Sequence, residues 1–239
     1  MSGHSKWAPT HRQKEATDKQ RSKIFSNMVK EIIVAVKTGG GPDPLTNPRL
    51  RVAIQNARGA NMPKDNIDRA INKGNCDVSN YTTIVYEATW KYGVQFVITC
   101  MTDNPNRSAA DVRAVLNRNN AKLGTSGSVM FNFEYKSYFI VDKKDIADVE
   151  VFVFDNISNG MQDIYEYDDA TYCIICDMQS FGIIQHLLEK EKINIINAGL
   201  RYYPISTADL KEEEDFASVE NIVDALEELD DVQNVATNI

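Results

Sequence analysis

The sequence contains few of the residues on which metal sites and nucleophilic catalysis depend. Its 239 residues include three histidines and four cysteines. His4 and His11 lie in a polar N-terminal segment, and His186 lies among apolar residues on a predicted helix. The motifs of zinc proteases, α/β-hydrolases and dinucleotide-binding enzymes do not occur in the sequence. We therefore expect no catalytic residues, no bound metal and no cofactor.

Two of the cysteines, Cys173 and Cys176, form a C-x-x-C pair inside an apolar stretch that predicts a strand. A redox pair of this spacing begins at a helix N-terminus, where the first thiolate is stabilised. Residues three apart on a strand instead point to opposite faces of the sheet. We interpret both residues as core cysteines.

The sequence also lacks long apolar runs. Val94–Met101, one of the longest, has less than half of the roughly 20 residues that a membrane-spanning helix needs. Residues 1–23 contain no apolar core of a secretory signal, and their acidic residues Glu15 and Asp18 are atypical of a transit peptide. We expect a cytoplasmic protein without membrane partners.

Acidic residues exceed basic ones, but the two signs are unevenly distributed along the chain. Residues 1–75 hold 14 Lys and Arg against 6 Asp and Glu, for a net charge of +8. The remainder holds 12 against 28, for a net charge of −16. Such an asymmetry is typical of a protein that binds a polyanion with one end, so we predict nucleic acid as the partner.

The basic part of the sequence predicts an N-terminal arm followed by three helices. The arm covers residues 1–23, where no apolar periodicity is present and Trp7 is the only aromatic residue. Apolar residues at helical spacing and cap residues predict helices over residues 24–36, ended by Gly39–Gly41; over residues 48–57, capped by Asn47; and over residues 63–73, ended by Gly74.

Beyond residue 80 the pattern changes to alternating strands and helices. Strands are predicted at Thr82–Trp90, Val94–Met101, Ser128–Glu134, Tyr138–Asp142, Asp163–Tyr167, Thr171–Asp177, Ile193–Tyr203 and Val232–Asn238. Helices are predicted at Ala109–Asn119, Lys144–Asn156, Gln179–Lys190 and residues 216–229. Within the second of these helices, Ile146–Phe154 would suit a strand equally well because of its Val and Phe content.

These elements predict an α+β protein of three domains. Residues 1–75 form the basic arm and helical domain. Residues 135–205 follow the β-α-β-β-α-β order of a ferredoxin-like domain. The preceding α+β domain lacks one helix and one strand, which the C-terminal helix and strand supply. We therefore predict that residues 135–205 are inserted in a domain built from residues 76–134 and 206–239.

Eight segments, in order along nearly the whole chain, form a specific pattern. They are MSGHSKW at 1–7, HR at 11–12, GGGPDP at 39–44, NPRLR at 47–51, ANMPKDNIDRAINKG at 60–74, TDNPNR at 102–107, LGTSGSV at 123–129 and LDDVQNVATN at 229–238. This pattern resembles the YebC/PmpR family, which includes the mitochondrial translational activator of cytochrome c oxidase. The resemblance implies an N-terminal helical domain and two ferredoxin-like α+β domains, the third inserted in the second.

The resemblance also implies a non-enzymatic function in gene expression. Bacterial members of the family are described as probable DNA-binding transcriptional regulators, and others as acting on translation at the ribosome. The chain departs from the family pattern at Pro105, where a basic residue is usual, and at two turns that are usually rich in glycine. These turns are Ala88–Gly93 and Asn120–Lys122, so ligand binding through glycine-rich backbone is not expected there.

The candidate nucleic-acid-binding residues are mostly basic side chains of the first 75 residues. Lys and Arg neutralise phosphates and release counterions, and Trp7 could stack on an exposed base. Arg51 and Arg58, seven residues apart, share a helix face. The complete set is Lys6, Trp7, His11, Arg12, Lys14, Lys19, Arg21, Lys23, Arg49, Arg51, Arg58, Lys64, Arg69, Lys73 and Arg107.

Three further features have both a structural and a functional interpretation. Arg107 follows a strand-to-helix turn of Asp and Asn residues and is hard to explain by turn chemistry alone, so it could face a phosphate. Gly39–Gly41 and Gly124–Ser128 are simplest as turns, although their backbone N–H groups could bind an anion. The acidic residues of the C-terminal helix are simplest as a solvated face, although they could dock a basic protein partner.

The function that we predict is DNA-binding regulation of transcription, without catalysis. A translation factor that contacts ribosomal RNA or the ribosome is the alternative, because RNA satisfies the same electrostatics. A protein–protein adaptor is the third possibility. No helix-turn-helix signature is recognisable, so the sequence supports contact with the phosphate backbone rather than with base edges.

Overall fold

The fold is given by a computed structural model, which describes residues 18–76 and 81–239. The helices are α1 (Asp18–Thr38), α2 (Pro48–Gly59), α3 (Lys64–Cys76), α4 (Pro105–Arg118), α5 (Val149–Asn156), α6 (Phe181–Lys190) and α7 (Glu213–Glu227). The strands are β1 (Thr82–Thr89), β2 (Gln95–Thr102), β3 (Lys122–Leu123), β4 (Phe133–Asp142), β5 (Met161–Glu166), β6 (Thr171–Asp177), β7 (Ile195–Pro204) and β8 (Val232–Thr237).

Helices α1, α2 and α3 pack into a helical unit around one apolar core. Ile32 and Ala35 of α1 meet Leu50 and Ala57 of α2 and Ile67 of α3, all of them buried. The three predicted helices are confirmed, but the first begins earlier than predicted. Residues 18–23, assigned above to the arm, form the first turns of α1.

Asn47 fixes the loop between α1 and α2. Its Oδ1 accepts from the Leu50 amide at 2.9 Å and thereby caps α2. Its Nδ2 donates to Ala35 O and Gly41 O, both at 2.8 Å, so that one fully buried amide joins the end of α1, the loop and the start of α2. A Cβ at Gly39 would clash with Asn47 Oδ1. The predicted helix stop at Gly39–Gly41 is therefore confirmed.

The first α+β unit consists of a four-stranded sheet with two helices on one face. The strand order is β3-β1-β2-β8. The last strand of the chain, β8, therefore lies at one edge of this sheet, where it pairs with β2. Phe96 and Ile98 of β2 pack against Val112 of α4 and Ile222 of α7. The opposite face is covered by Val129 and neighbouring residues.

The second α+β unit is inserted between α4 and α7 of the first. Its strand order, β5-β6-β4-β7, is antiparallel throughout and is that of the ferredoxin-like β-α-β-β-α-β module. Phe139 of β4 stacks on Phe181 of α6 with ring centroids 4.8 Å apart. The α+β class and the insertion predicted from the sequence are confirmed. The residue numbers given above for the domain boundaries stay a prediction; β4 begins at Phe133, just ahead of residue 135.

The segment that precedes β4 is not the strand that the sequence predicts at Ser128–Glu134. The carboxylate of Glu87 accepts from the amides of Gly127, Val129 and Met130 at 2.6, 2.7 and 3.0 Å. The backbone therefore curls around Glu87, and a 3-10 turn covers Met130–Asn132. A single strand, β4, then replaces the end of this predicted strand and the separate strand predicted at Tyr138–Asp142.

The sequence was compatible with either a helix or a strand at Ile146–Phe154. In the structure this segment contains most of helix α5. Asp148 determines this outcome because its Oδ1 accepts from the amides of Glu150 and Val151, at 3.0 and 3.1 Å, and caps the helix. A capped first turn outweighs the modest strand preference of Val and Phe.

Cys173 and Cys176 lie in the core, as predicted. Cys173 packs on one face of the second sheet with Tyr138 and Ile175, and Cys176 packs on the other with Phe139 and the two helices. Both are buried, free thiols. Burial raises the pKa of Cys176 to about 12, so this thiol is protonated at neutral pH.

We expect Asn47→Ala to lower the free energy of unfolding by about 2–3 kcal/mol. The variant removes a helix cap and leaves buried backbone groups without a partner. Chemical denaturation measures the change, with Thr46→Ala as control, because Thr46 is exposed and its hydroxyl makes one 3.3 Å hydrogen bond. Equal stabilities of the two variants would contradict the role assigned to Asn47.

Candidate nucleic-acid interface

The fifteen candidate residues fall into three groups once they are placed in the fold. Lys6, Trp7, His11, Arg12 and Lys14 lie outside the described residues. Lys19 and Arg21 lie on the first turns of α1 rather than on an arm. The remaining eight, whose side chains are described, are Lys23, Arg49, Arg51, Arg58, Lys64, Arg69, Lys73 and Arg107.

Helix α2 carries three arginines and no acidic residue. Leu50, Ala53 and Ala57 turn its apolar stripe into the helical core. Arg51 and Arg58 share a second stripe, which is exposed, and are about 10 Å apart along the helix axis. In the described part of the chain neither residue forms an ion pair. Among the described residues, no carboxylate therefore competes with an anion for either guanidinium group.

The third arginine of α2 is partly engaged within the helical unit. Arg49 donates from NH1 to Thr38 Oγ1 at 2.9 Å and lies near Glu31 of α1. Burial raises the pKa of Glu31 to about 7, although the charge of Arg49 and a hydrogen bond from Asn56 act in the opposite direction. Arg49 is exposed, so it borders the basic stripe rather than forming its centre.

Helix α3, which belongs to the same helical unit, carries three more exposed cations. Arg69 and Lys73 are one turn apart and share a face, while Lys64 lies at the start of the helix. All three side chains are exposed, and Arg69 donates from Nε to the backbone oxygen of Asp65 at 3.2 Å. Asp65 and Asp68 dilute the charge of α3, so α2 is the more basic helix. We name Arg51, Arg58, Lys64, Arg69 and Lys73 the basic face.

The last two cations of the set, Lys23 and Arg107, are engaged in the junction between the helical unit and the first α+β unit. Lys23 Nζ donates to Leu229 O at 2.8 Å. Burial lowers the pKa of Lys23, against the attraction of Glu227 and Asp230. Arg107 NH2 donates to Asp231 Oδ2 at 2.8 Å and to Asp103 Oδ1 at 2.9 Å.

Arg107 thus has a structural role at this junction, and its contact with a phosphate stays a prediction. The hydrogen bonds that Arg107 donates to Asp231 and Asp103 raise its pKa, and they engage the guanidinium with two carboxylates. A phosphate would compete with both. Arg107 is half-exposed, yet its charge is already compensated, so we place it outside the basic face.

Asp231 is the centre of this junction. Its Oδ1 accepts from Lys30 Nζ at 3.1 Å, and its Oδ2 accepts from Arg107 and from Thr102 Oγ1, each at 2.8 Å. Burial alone would raise the pKa of Asp231, but the hydrogen bonds from Arg107, Thr102 and Lys30 hold it below its ordinary value. Asp231 is itself buried.

A second junction holds α2 against the second α+β unit. Asn56 donates from Nδ2 to Ala198 O at 2.8 Å and accepts from Ala198 N at 2.9 Å. Gln55 Nε2 donates to Ile195 O at 3.0 Å. These side chains satisfy the edge of β7, the strand at one end of its sheet. Helix α2 is therefore fixed on two sides, and the basic stripe lies on what is left exposed.

The turn at Gly124–Ser128 does present backbone N–H groups to an anion, but the anion is the chain's own. Glu87, 4% exposed, fills this position. Burial alone would raise the pKa of Glu87, and the amides of Val129, Gly127 and Met130 lower it below its ordinary value. This turn is thus a structural feature of the first α+β unit.

Within residues 18–76 and 81–239, no group of three or more His, Cys, Asp or Glu side chains is arranged to hold a metal ion. The helices of the same residues include none that is long and apolar enough to cross a membrane. Burial raises the pKa of Cys100 to about 11, so this thiol is protonated at neutral pH.

Comparison with known families gives matches over nearly the entire chain. Residues 5–77 match the model described as the TACO1/YebC protein N-terminal domain. Residues 81–239 match the model described as the TACO1/YebC second and third domain.

Individual relatives are similar over their full lengths. A probable transcriptional regulatory protein of Amoebophilus asiaticus is 42% identical over 241 residues, which cover 100% of this chain and 98% of the relative. A protein of the same description from Lactobacillus delbrueckii subsp. bulgaricus is 43% identical, with 99% and 97% covered. The crystal structure of a conserved hypothetical protein, Aq1575 from Aquifex aeolicus, superposes with a TM-score of 0.87 at 38% identity, covering 97% of this chain and 95% of that one.

We expect Asp231→Asn to lower the free energy of unfolding by about 3 kcal/mol at neutral pH, because it leaves the buried ammonium of Lys30 without a carboxylate. Asp103→Asn is the matched control: it removes the exposed partner of the same Arg107 and should cost below about 0.5 kcal/mol.

The effect of Asp231→Asn should also depend on pH. The folded-state pKa of Asp231 lies below its unfolded value of about 3.9, so its stabilisation is present above that pH and is lost as the pH falls through the folded-state pKa. Denaturation at a series of pH values should show the difference between wild type and variant shrinking below about pH 4. A difference that is constant down to strong acid would contradict a charged Asp231.

Proposed function

The chain belongs to the TACO1/YebC family, and on this premise we propose that it is a non-enzymatic regulator of transcription that binds the phosphate backbone of DNA. The printed description of its relatives, probable transcriptional regulatory protein, supports regulation of gene expression in general. Binding to DNA, and the residues that perform it, are our proposal.

The observation that carries the proposal is how the fold distributes its cations. The junction between the helical unit and the first α+β unit engages three cations. Lys30 and Arg107 pair with Asp231, and Lys23 donates to Leu229 O. The basic face instead points Arg51 and Arg58 to solvent without a carboxylate partner among the described residues. Unpaired cations on a rigid helix are suited to phosphates, because no ion pair must be broken before binding.

The charge of the remainder of the molecule favours contact with the duplex through this end. Residues 76–239 carry a net charge of −16, which repels nucleic acid beyond the basic face. Part of this charge has a local role, since Glu213, Glu214 and Asp215 stabilise the first turn of α7 through the helix dipole. The acidic surface would also suit a basic protein partner, as the sequence suggested.

The binding that we propose is mainly independent of base sequence. Two sides of α2 are covered by the helical core and by β7. The arginine stripe can therefore contact DNA, but the whole helix cannot enter a DNA groove. Contacts from such a stripe position a protein on the duplex, and they read no base edges by themselves.

Replacing Arg51, Arg58 and Lys64 by Glu together should abolish binding to duplex DNA at moderate salt, because each exchange turns an attractive charge into a repulsive one. Fluorescence anisotropy with a labelled duplex measures the affinity, and circular dichroism verifies the fold. The matched control replaces three exposed cations of the other units, Arg113, Lys122 and Lys190, by Glu, which changes the net charge equally. Loss of binding in the control, or its retention in the first variant, would contradict the proposal.

The salt dependence of binding gives the number of contacts. If six to eight of the candidate side chains meet phosphates, the logarithm of the affinity should fall with the logarithm of salt concentration with a slope of about −5 to −7. The triple Glu variant should have a slope closer to zero by about three units. A slope near zero for the wild type would exclude backbone binding.

The same protein distinguishes DNA from the ribosome. Co-purification with chromosomal DNA that is lost on DNase treatment would support transcriptional regulation. Co-sedimentation with ribosomes that survives DNase and is lost at high salt would overturn it in favour of a translation factor. Binding to neither would favour an adaptor.

A further inference from the structure

An open cavity of about 220 Å³ lies on the first α+β unit, remote in sequence from the basic face. It forms where three elements meet: the turn between β1 and β2, the end of α4 and the middle of α7. The residues that concern us are Trp90 and Lys91 from the turn, Arg118 and Asn120 from the end of α4, and Ser218 and Asn221 from α7.

The cavity is basic although the surrounding unit is acidic. Its lining includes two cations, Lys91 and Arg118, and no Asp or Glu. Neither cation forms an ion pair with any residue of the described chain. In a segment with a net charge of −16, carboxylates are abundant, so two uncompensated cations beside one cavity are unusual.

The wall of the cavity is formed by an oriented indole ring. Trp90 is half-buried, and its Nε1 donates to Asn119 O at 3.1 Å, which fixes the plane of the ring. Lys91 Nζ lies 5.2 Å from the centroid of that ring, at cation–π distance. Charge and aromatic surface are therefore placed side by side before any ligand arrives.

Both rims of the cavity are held in tight turns. Trp90 N donates to Val94 O at 2.8 Å, and Val94 N donates to Lys91 O at 3.1 Å. On the other rim, Asn119 Nδ2 donates to Val115 O at 2.9 Å. Asn120 has a φ of +57°, a left-handed conformation that Asn tolerates better than most residues. The lining is thus ordered by hydrogen bonds that involve neither the ammonium of Lys91 nor the guanidinium of Arg118.

We infer that this cavity binds the phosphate group of a nucleotide. A phosphate monoester carries about −1.5 to −2 charges at neutral pH, which two cations compensate. The side-chain amides of Asn120 and Asn221, which line the cavity, supply further donors for its oxygens. The Ser218 hydroxyl is not among them, because it donates to Glu214 O at 2.8 Å. The cavity is smaller than the about 300 Å³ at which pockets for drug-sized ligands begin, so it holds the phosphate and part of the sugar, and the base lies against Trp90.

Two sources share this chemistry: a free mononucleotide, and the 5′-phosphorylated end of a nucleic-acid strand. The probe for the first is adenosine 5′-monophosphate, with adenosine as the ligand that lacks the phosphate. The probes for the second are two oligonucleotides that differ only in a 5′-phosphate or a 5′-hydroxyl.

The experiment uses the fluorescence of Trp90 in the full-length chain. The sequence has two tryptophans, Trp7 and Trp90, so Trp7→Phe leaves Trp90 as the single reporter. Adding R51E, R58E and K64E removes the proposed basic face, so that failure of this site and failure of the proposed function are distinguishable. In this background, adenosine 5′-monophosphate should change the fluorescence saturably, and adenosine should not.

The variants Lys91→Gln and Arg118→Gln should each weaken nucleotide binding by about tenfold or more, since each removes one charge-assisted contact. Arg113→Gln is the matched control: it removes an exposed cation of the same helix, α4, that does not line the cavity. Its affinity should be unchanged. A stronger response to the 5′-phosphorylated oligonucleotide than to its hydroxyl counterpart would identify a strand end as the ligand, and a response to the free nucleotide alone would identify the mononucleotide.

The inference is overturned by any of three results. Adenosine could act as well as its monophosphate, which would remove the role of the phosphate. Arg113→Gln could weaken binding as much as Arg118→Gln, which would reduce the effect to general charge. Adenosine 5′-monophosphate and the 5′-phosphorylated oligonucleotide could both fail to give a saturable change, which would leave the cavity without a nucleotide ligand.

Discussion

The buried carboxylate of Asp231 is the interaction on which the arrangement of the molecule depends. It accepts hydrogen bonds from Lys30 of α1, from Arg107 of α4 and from Thr102 of β2. All three donors are distant from Asp231 in sequence, and they belong to two structural units, with Lys30 in the helical unit and Thr102 and Arg107 in the first α+β unit. Taking charges out of water is costly unless each is compensated, so the three elements must be in place together. The helical unit is thereby oriented on the first α+β unit rather than tethered to it.

This constraint has a consequence for the proposed function. The junction neutralises Lys30 and Arg107. The arginines of α2 lie on the part of that helix that the helical core and β7 leave uncovered, so they stay exposed. Asn56, paired with both backbone groups of Ala198, holds α2 from the opposite side. The basic face is therefore a surface of fixed geometry on an otherwise acidic molecule. Preorganised cations lose little side-chain and backbone freedom on binding compared with a flexible basic tail.

The sequence predicted the elements well where the relevant partners are close in the chain. Asn47 as a helix cap, the glycines that end α1 and the opposite orientations of Cys173 and Cys176 all follow from local spacing, and the structure confirms them. Its errors share a different cause. The strand expected at Ser128–Glu134 is replaced by a turn because Glu87, about 40 residues earlier, takes its amides. The early start of α1 was missed because residues 18–23 show no apolar periodicity, and the acceptor of Lys23 in these turns is Leu229 O, far along the chain. Local periodicity contains no record of such partners.

The sequence by itself determined the class of the fold, the insertion and the asymmetry of charge, because these follow from periodicity and composition. Only the tertiary structure decided which cations are available. Arg51 and Arg107 are the same type of residue. Arg51 is exposed without a carboxylate partner among the described residues, whereas the charge of Arg107 is compensated by Asp103 and Asp231. The physical reason is that the availability of a charged side chain depends on its neighbours in space. The partner of Arg107, Asp231, is 124 positions away in the chain. The same holds for the cavity at Trp90, whose walls come from three segments that only folding brings together.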